Sequence, residues 1–495
     1  MSELPGTVDD TTGDPEGDPE HLQDIGRKVG RGLSWSLAGN IAFRAGSFIM
    51  SLILARILMP GDFGIFAVAF SATQLVMVLK DIGVMAAVMQ WRGKLEEIAP
   101  TATTITFISA LTLYAGFYLI APWYAHSAGT DAATPVVRLL TSIILVEAVT
   151  AVRSATLLRT FQQSKASIAI LIGFAANMPV AIILAVEGFG AYSFAWGQVA
   201  RAVVTGIVTL WFTHMPFRLG WKPAIARQLL KFGIPSAAGI ALETALLYIG
   251  NVIVGGIMGP VWTGFYLLAF NVSSWVPGLI GTAIRTVSIA GFSRLAERDT
   301  ESLTRGVQRS VPILIGAILP VAAVMGVLAH PLIGLLYGEK WGQSAGVLRF
   351  LAVLMVARML TALALDILNS QGATRATVWM NLGYGAAMVP TVIVLTHMYG
   401  IRGAAAGQAL TALLVALPLA MWAVQRAGVR LAPILPHLVR PLIGTLIMCA
   451  VMMVLAYVLD DAHFLVQLVV AGGAGFLVYA AVVLPQFKRL MKVAA

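Results

Sequence analysis

The chain is built from long apolar stretches separated by short polar gaps. Each stretch has about twenty residues, the length that a helix rising ~1.5 Å per residue needs to cross a ~30 Å hydrocarbon core. The pattern therefore predicts an all-α polytopic membrane protein with about fourteen transmembrane helices. They are expected near residues 33–55, 63–85, 101–121, 136–157, 166–187, 190–213, 233–256, 261–283, 309–330, 346–368, 377–397, 403–424, 438–459 and 464–484.

Lysine and arginine are concentrated in every second gap, for example in residues 214–232 and 285–308. The alternate gaps hold only Arg56, Arg138, Lys340, Arg349 and Arg402. Because basic loops are retained on the cytoplasmic side of a membrane, we expect both termini and the basic gaps to be cytoplasmic. The predicted location is the cytoplasmic (inner) membrane.

Composition supports this class of protein and excludes several others. Hydrophobic residues make up 58% of the chain and charged residues 11%, with a mean hydropathy of +0.85, far from the values of soluble domains. The net charge of +10 then belongs to the cytoplasmic loops and does not predict a nucleic-acid partner. No phosphate-binding loop, metal-binding cluster or nucleophile–base pair is present, so we expect no enzyme activity and no cofactor.

An internal repeat suggests how the stretches are arranged. Residues 54–70 align without a gap on residues 254–270, and residues 190–198 on 400–408. The matched pairs are Ile57/Ile257, Pro60/Pro260, Gly64/Gly264, Ala69/Ala269, Phe70/Phe270, Gly190/Gly400, Gly197/Gly407 and Gln198/Gln408. Six stretches, an even number, separate the copies. Both copies therefore cross the membrane in the same direction, around a pseudo-twofold axis along the membrane normal.

The repeat predicts the domain organisation. Residues 26–215 form a first six-helix lobe and residues 216–425 a second lobe, with a central cavity where the lobes meet. Residues 426–495 hold two further helices and a cytoplasmic C-terminus. Residues 1–25, which are acidic and rich in Pro and Gly, are expected to be a disordered cytoplasmic tail.

Several charged residues lie inside the apolar stretches. A charge at the bilayer centre costs ~2.5–3.5 kcal/mol, so each requires a partner, water or a ligand. Ion pairs such as Arg44 with Glu243, or Arg358 with Asp366, are one explanation, and a binding site is the other. The charged residues near mid-stretch are Arg44, Arg201, Arg358, Glu147 and Glu243; Asp366 and Arg285 lie nearer the cytoplasmic ends, and Asn40 and Ser47 share the face of Arg44.

Four segments together resemble a known family. They are LARILMPGDFGIFAVA (54–69), PFRLGWKPAIARQLLKFGIPSA (216–237), LLYGEKWGQSAGVLRFLA (335–352), and QGATR (371–375) with YGIRGAAAGQAL (399–410). In order and spacing they are similar to the polysaccharide-transporter (Wzx-type flippase) branch of the MOP flippase superfamily, from about residue 26 to residue 485. The resemblance implies two lobes that open alternately to either side of the membrane. It implies a substrate in which an oligosaccharide is joined through pyrophosphate to a polyprenyl lipid.

The resemblance assigns roles to the charged residues. The pyrophosphate would be bound by Arg44, Arg201, Arg285 and Arg358, with Asn40 and Ser47. A guanidinium group can donate two parallel hydrogen bonds to phosphate oxygens. Glu147, Glu243 and Asp366 would bind a coupling cation or form ion pairs. Membrane lipids, a polysaccharide polymerase and glycosyltransferases are candidate partners. A lipid II-type flippase, a cation-coupled multidrug exporter and a non-transporting scaffold remain alternatives, and the energy source is left open.

Overall fold

The structure is a computed structural model that describes residues 39–80, 84, 88, 95–160, 162–213, 218–276, 300–370 and 374–492. The described residues form a helical bundle. Its α-helices are α1 (Gly39–Ile57), α2 (Pro60–Lys80), α3 (Leu95–Ser127), α4 (Ala133–Thr141), α5 (Ile143–Arg159), α6 (Gln163–Val186), α7 (Ala191–Thr213), α8 (Pro223–Met258), α9 (Pro260–Val276), α10 (Thr300–Val327), α11 (Ala329–Tyr337), α12 (Gln343–Ser370), α13 (Thr374–Thr411), α14 (Leu417–Arg426), α15 (Leu435–Val458) and α16 (Phe464–Lys492).

Each predicted stretch falls on a helix wherever the structure describes it. Eleven helical ranges are long and apolar enough to cross a membrane, so the chain is a multi-pass membrane protein. One of them, Thr377–Arg426, contains two predicted stretches, and the two are separated at Gly400, where the backbone leaves the helical conformation with φ 62° and ψ −146°. The stretches near 190–213 and 261–283 correspond to α7 and to α9, and α9 is described over 17 residues.

The repeated segments contact each other where α2 and α9 begin. Helices α2 and α9 begin at Pro60 and Pro260, where proline is favoured because the first turn of a helix leaves its N–H groups unpaired. A Cβ atom on Gly64 would overlap the carbonyl oxygen of Pro260, and one on Gly264 would overlap the carbonyl oxygen of Pro60. The two helices therefore cross in a reciprocal contact, as an approximate twofold axis requires, and only glycine permits this approach.

One large apolar core joins the two halves of the chain, α1–α7 and α8–α14. Its fully buried members include Leu54 and Phe63 from the first half and Tyr266, Trp341 and Leu348 from the second. Smaller clusters hold the ends of the bundle: α3 and α5 pack against the start of α8, and α10 packs against α15 and α16. The hydroxyl of Tyr479 donates a 2.7 Å hydrogen bond to the carbonyl of Gly316 and fixes α16 against α10.

Candidate functional site

The charged residues predicted near the middle of the membrane lie at a common depth. At ~1.5 Å per residue, each of four charged residues lies about 20 Å along its helical range from one helix end: Arg44 from Ile57, Glu147 (on α5) from Ala133 at the start of α4, Glu243 from Met258 and Arg358 from Gln343. Arg201 lies about 15 Å below the start of α7 by the same measure. The helices thus form a belt of ionisable side chains within the bundle.

Arg44 is anchored by a neighbour on its own helix. Its Nε donates a 2.9 Å hydrogen bond to Oδ1 of Asn40, one turn earlier. The side chains of Arg44, Asn40 and Ser47 are half-buried. The terminal Nη1 and Nη2 atoms of Arg44 form no hydrogen bond with any residue that the structure describes. The outer edge of the guanidinium therefore remains available to a ligand.

Arg201 is held in the same way on α7. Its Nε donates a 2.8 Å hydrogen bond to Oε1 of Gln198. As in Arg44, a side-chain amide accepts from Nε, the guanidinium nitrogen nearest the backbone. Glu147 lies within electrostatic range of Arg201. Gln408, the repeat counterpart of Gln198, accepts a 2.6 Å hydrogen bond from the Tyr266 hydroxyl. The repeat thus keeps an amide acceptor in both halves but changes its donor.

Glu147 forms an ion pair with Lys80, the last residue of α2. Lys80 Nζ lies 3.3 Å from Glu147 Oε2, and the Lys80 side chain is 5% exposed against 34% for Glu147. A buried ammonium group needs such a partner. Glu147 therefore stands between two cations, Lys80 on α2 and Arg201 on α7.

Arg358 lies in a second cluster, lined by tyrosines. Glu243, Tyr248, Tyr266 and Tyr384 are within electrostatic range of its guanidinium. Arg358, Tyr248 and Tyr384 are half-buried and Glu243 is exposed on the surface of the bundle. This cluster combines one cation, one carboxylate and several phenol hydroxyls from α8, α9, α12 and α13.

The two ion pairs considered from the sequence are not formed among the described residues. Arg44 hydrogen-bonds to Asn40 and does not pair with Glu243. Arg358 does not pair with Asp366, because eight residues along a helix separate the two backbones by ~12 Å. Asp366 is buried near the inner end of α12. Arg285 lies outside the described residues.

The two halves are joined by hydrogen bonds along the seam between α2 and α8. Asn251 Nδ2 donates to Ser71 Oγ at 3.2 Å, and Gln74 Nε2 donates to the Tyr248 hydroxyl at 3.3 Å. Both bonds lie between the α2–α9 crossing and the belt of charges. The halves are therefore in direct contact from the crossing down to the level of Tyr248.

A second junction between the two halves, at the same end of the bundle, was not predicted from the sequence. It consists of the corner between α1 and α2 (residues 55–58) and the turn between α11 and α12 (residues 335–341). We call it the outer clasp, because the sparse basic charge of these loops predicts that they lie outside. Its hydrogen bonds run from Lys340 Nζ to the carbonyls of Arg56 (3.1 Å) and Leu58 (3.0 Å), from Trp341 Nε1 to the carbonyl of Ala55 (3.0 Å), and from Arg56 Nη2 to the carbonyls of Leu335 (3.2 Å) and Leu336 (3.3 Å).

Trp341 is the centre of the outer clasp. Its side chain is fully buried, with ring centroids 4.8 Å from Phe63 and 5.8 Å from Phe265. Partial burial, and then the neighbouring Arg56 guanidinium, lower the pKa of Lys340 from its usual range. In the sequence Lys340 and Arg56 counted only as two of the few basic residues on one side. The GEKW segment was part of the family resemblance, but its partner could not be read from spacing.

No group of three His, Cys, Asp or Glu side chains able to hold a metal ion occurs among the described residues. A helical bundle with a belt of arginines and carboxylates, joined at one end by a seam and a clasp, defines a polytopic membrane protein. Residues 53–346, more than half of the chain, match the family described as "Polysaccharide biosynthesis protein". The chain belongs to that family.

Curated relatives share this family setting at low identity. The chain is 22% identical over 396 residues to an "Uncharacterized membrane protein in cps region" of Klebsiella pneumoniae, covering 77% of this chain and 80% of the relative. It is 22% identical over 325 residues to the "Succinoglycan biosynthesis transport protein ExoT" of Rhizobium meliloti, covering 65% of each. It is 20% identical over 384 residues to the "Lipopolysaccharide biosynthesis protein WzxC" of Escherichia coli, covering 75% and 76%.

Solved structures share the fold. The structure titled "Lipid II flippase MurJ, inward closed conformation" superposes with a TM-score of 0.76 at 12% identity, covering 92% of this chain and all of that one. An inward-facing multidrug resistance MATE transporter of the MOP superfamily superposes with a TM-score of 0.55 at 18% identity, covering 79% and 93%. At these identities the likeness concerns the helical fold alone.

Proposed function

We propose that the chain is a flippase, not an enzyme, that moves polyprenyl-pyrophosphate-linked oligosaccharide repeat units across the cytoplasmic membrane for the synthesis of a cell-surface polysaccharide. The family match and the relatives named for succinoglycan transport and lipopolysaccharide biosynthesis support this role. The observation that carries it is the pair of half-buried arginines, Arg44 and Arg201. Each is fixed at Nε by an amide, and neither of its Nη atoms forms a hydrogen bond in the ranges that the structure describes.

This geometry suits a pyrophosphate. A guanidinium keeps its charge in a medium of low dielectric constant and donates two parallel hydrogen bonds to phosphate oxygens. Fixing Nε to an amide removes rotamer freedom before the ligand arrives, so less entropy is lost on binding. Arg358, surrounded by tyrosine hydroxyls, would add a third cation together with donors and rings suited to sugar hydroxyls and sugar faces.

Transport by alternating access would use the two junctions between the halves. The lobes proposed at residues 26–215 and 216–425 are closed to each other at the end that carries the seam and the outer clasp. With both termini cytoplasmic, that end faces outward, and the head group would enter from the cytoplasmic side. Release on the outer side would require the clasp to open while the polyprenyl tail stays in lipid.

The carboxylates divide into two roles in this proposal. Glu147 is already paired with Lys80 and serves the structure of the first lobe. Glu243 is exposed and lies beside Arg358, so it is the better group to bind a coupling proton or sodium ion. The membrane potential can also contribute, since an anion leaving a negative interior gains ~2.3 kcal/mol per charge per 100 mV.

The test is to substitute Arg44 in a strain that depends on this protein for surface polymer. Arg44→Ala and Arg44→Lys should each lower polymer export about tenfold or more, the equivalent of ~1.4 kcal/mol of binding, because lysine retains the charge but loses the planar fork. Lipid-linked oligosaccharide should accumulate in the inner leaflet at unchanged protein level. Arg440→Gln, at an exposed arginine outside the belt, is the matched control.

A double variant separates substrate binding from an unrecognised ion pair. Arg44→Ala/Glu243→Gln should export as poorly as Arg44→Ala, since the two residues do not pair. Full export by the double variant would remove Arg44 from the substrate site. Normal export by every arginine variant would favour a scaffold, and export of cationic drugs in place of polymer would favour a multidrug exporter.

A further inference from the structure

Helix α8 begins well before it enters the apolar part of the membrane. The helix spans Pro223–Met258, whereas its membrane-spanning segment is Ala237–Met258. Residues 218–236 therefore form a segment at the membrane boundary that links α7 of the first half to α8 of the second. The segment contains no Asp or Glu, and its basic residues are Arg218, Lys222, Arg227 and Lys231.

One face of this linker segment is fixed to the first half. Ala226 and Leu229 are buried against the inner ends of α3 and α5. Thr104 Oγ1 accepts a 3.0 Å hydrogen bond from the backbone N–H of Gly220, and Thr101 Oγ1 accepts one of 3.2 Å from that of Lys222. The linker segment therefore packs onto the bundle with one face, and its opposite face points away from the bundle.

The outward face has the composition of a lipid contact. One shallow groove on this face is bordered by Trp221, Arg227, Leu230, Lys231 and Ile234. Trp221 and Ile234 are 56% and 55% exposed, which places large apolar surface outside the bundle at the edge of the membrane. Tryptophan with lysine and arginine is the combination that proteins use at the boundary between head groups and acyl chains.

The two basic residues of the groove have no partner in the part of the chain that the structure describes. Arg227 and Lys231 are exposed and lie one helical turn apart, so their side chains point the same way. Neither forms a hydrogen bond or an ion pair with a residue that the structure describes. The segment itself contains no carboxylate and the groove is lined by none, so an anionic group that bridges the two cations would be attracted to them.

We propose that this groove binds one anionic phospholipid of the adjoining leaflet, with its phosphate between Arg227 and Lys231 and an acyl chain along Leu230 and Ile234. The apolar half of the groove distinguishes a lipid from a free anion, because a free anion would leave Trp221 and Ile234 in water. The bound lipid would hold the linker segment at the membrane surface and so stabilise the joint between the halves. This role does not depend on the transported substrate.

The experiment uses the purified full-length protein in a neutral detergent. The thermal unfolding midpoint is titrated with dioleoyl-phosphatidylglycerol, with dioleoyl-phosphatidylcholine and with inorganic phosphate. Phosphatidylglycerol should raise the midpoint saturably, while phosphatidylcholine and phosphate should not. In Arg227→Gln/Lys231→Gln the apparent affinity for phosphatidylglycerol should fall roughly tenfold or more, given about 1 kcal/mol for each basic residue at a lipid surface.

The controls match charge and shape. Arg430→Gln/Arg440→Gln removes the same charge from two other exposed arginines and should bind phosphatidylglycerol like the wild type. Arg227→Lys keeps the charge and should retain the response, whereas Trp221→Ala should weaken it. An equal loss in the Arg430/Arg440 control, an equal response to phosphatidylcholine, or a response to phosphate that matches the lipid would each overturn the proposal.

Discussion

At the scale of single residues, the charged side chains of this membrane bundle have two kinds of partner. Arg44 and Arg201 are fixed at Nε by a neutral amide on their own helix, and their Nη atoms form no hydrogen bond within the described part of the chain. Lys80 is instead buried and paired with Glu147, which compensates its charge within the protein. The two kinds of residue differ in the partner of the charged group, which is a neutral amide for the proposed binding residues and a carboxylate for the structural residue.

The Lys80–Glu147 pair gives a prediction about stability. Lys80→Met should lower the stability of the purified protein by about 1–3 kcal/mol, discounted from the larger cost of a fully buried pair because Glu147 is 34% exposed. Lys80→Met/Glu147→Gln should recover part of this loss, since it removes the unpaired carboxylate, while Arg201 loses the same neighbouring carboxylate. Thermal unfolding of both variants checks the prediction, and a double variant as unstable as the single one would contradict it.

At the scale of helices, the two repeat segments are used as a pair of crossing helices and not as independent units. Gly64 and Gly264 each face the backbone of the opposite copy, so the α2–α9 crossing depends on both glycines at once. The outer clasp lies next to this crossing, because Trp341 packs on Phe63. The crossing and the clasp together close one end of the bundle.

The crossing predicts that two neighbouring glycines of α2 respond differently to the same substitution. Gly64→Ala should lower the thermal unfolding midpoint, because overpacking typically costs about 1–3 kcal/mol. Gly61→Ala should be neutral or slightly stabilising, because its Cβ would lie an ordinary 3.7 Å from Val261 and alanine favours the helix. Similar midpoints for the two variants would show that α2 and α9 do not cross closely in the protein.

The outer clasp predicts a change in accessibility. A cysteine at the buried Ala269, in a Cys449→Ala background, should be protected from a membrane-impermeant maleimide. Trp341→Ala should accelerate its labelling, because the variant loses both the aromatic packing and the hydrogen bond to Ala55. Trp341→Phe, which loses only the hydrogen bond, should have a smaller effect. Equal labelling rates in all three backgrounds would exclude Trp341 as a gate residue.

At the scale of the whole molecule, contacts and charge bias agree on which loops share an end of the bundle. Arg56 and Lys340 belong to two loops that the sparse basic charge assigned to the same side of the membrane. The hydrogen bonds between residues 55–58 and 335–341 bring those loops together. The linker segment at 218–236 lies toward the opposite, basic end. The bundle therefore has one closed, weakly charged end and one basic end.

Cysteine labelling in the Cys449→Ala protein tests the orientation of these ends. Residues 121–135, 331–345 and 460–463 should be labelled from outside the cell, and residues 214–232, 285–308 and 425–437 only after the membrane is permeabilised. The reason is the retention of basic loops in the cytoplasm. A cysteine at Arg440, near the start of α15, serves as an inside reference. Inversion of any one loop would break the parallel arrangement of the two proposed lobes.

The sequence by itself determined the class of protein, the position of the membrane helices and the depth of the charged residues. These features depend on local hydrophobicity and on distance along a helix, and both can be read directly from the sequence. It also indicated the repeat, because Pro60, Gly64, Pro260 and Gly264 stand at matching places. The sequence also separated the stretches near 377–397 and 403–424, and the non-helical backbone of Gly400 lies between them.

Only the tertiary structure decided which residues meet. The sequence could not choose Lys80 over Arg44 as the cation that pairs with a carboxylate, because helix rotation and packing set that distance. Nor could it show that Trp341 reaches the backbone of Ala55 or that Arg227 and Lys231 share a groove with Trp221. Those contacts join positions far apart in the chain or turn a helix face outward, and both depend on how the whole bundle packs.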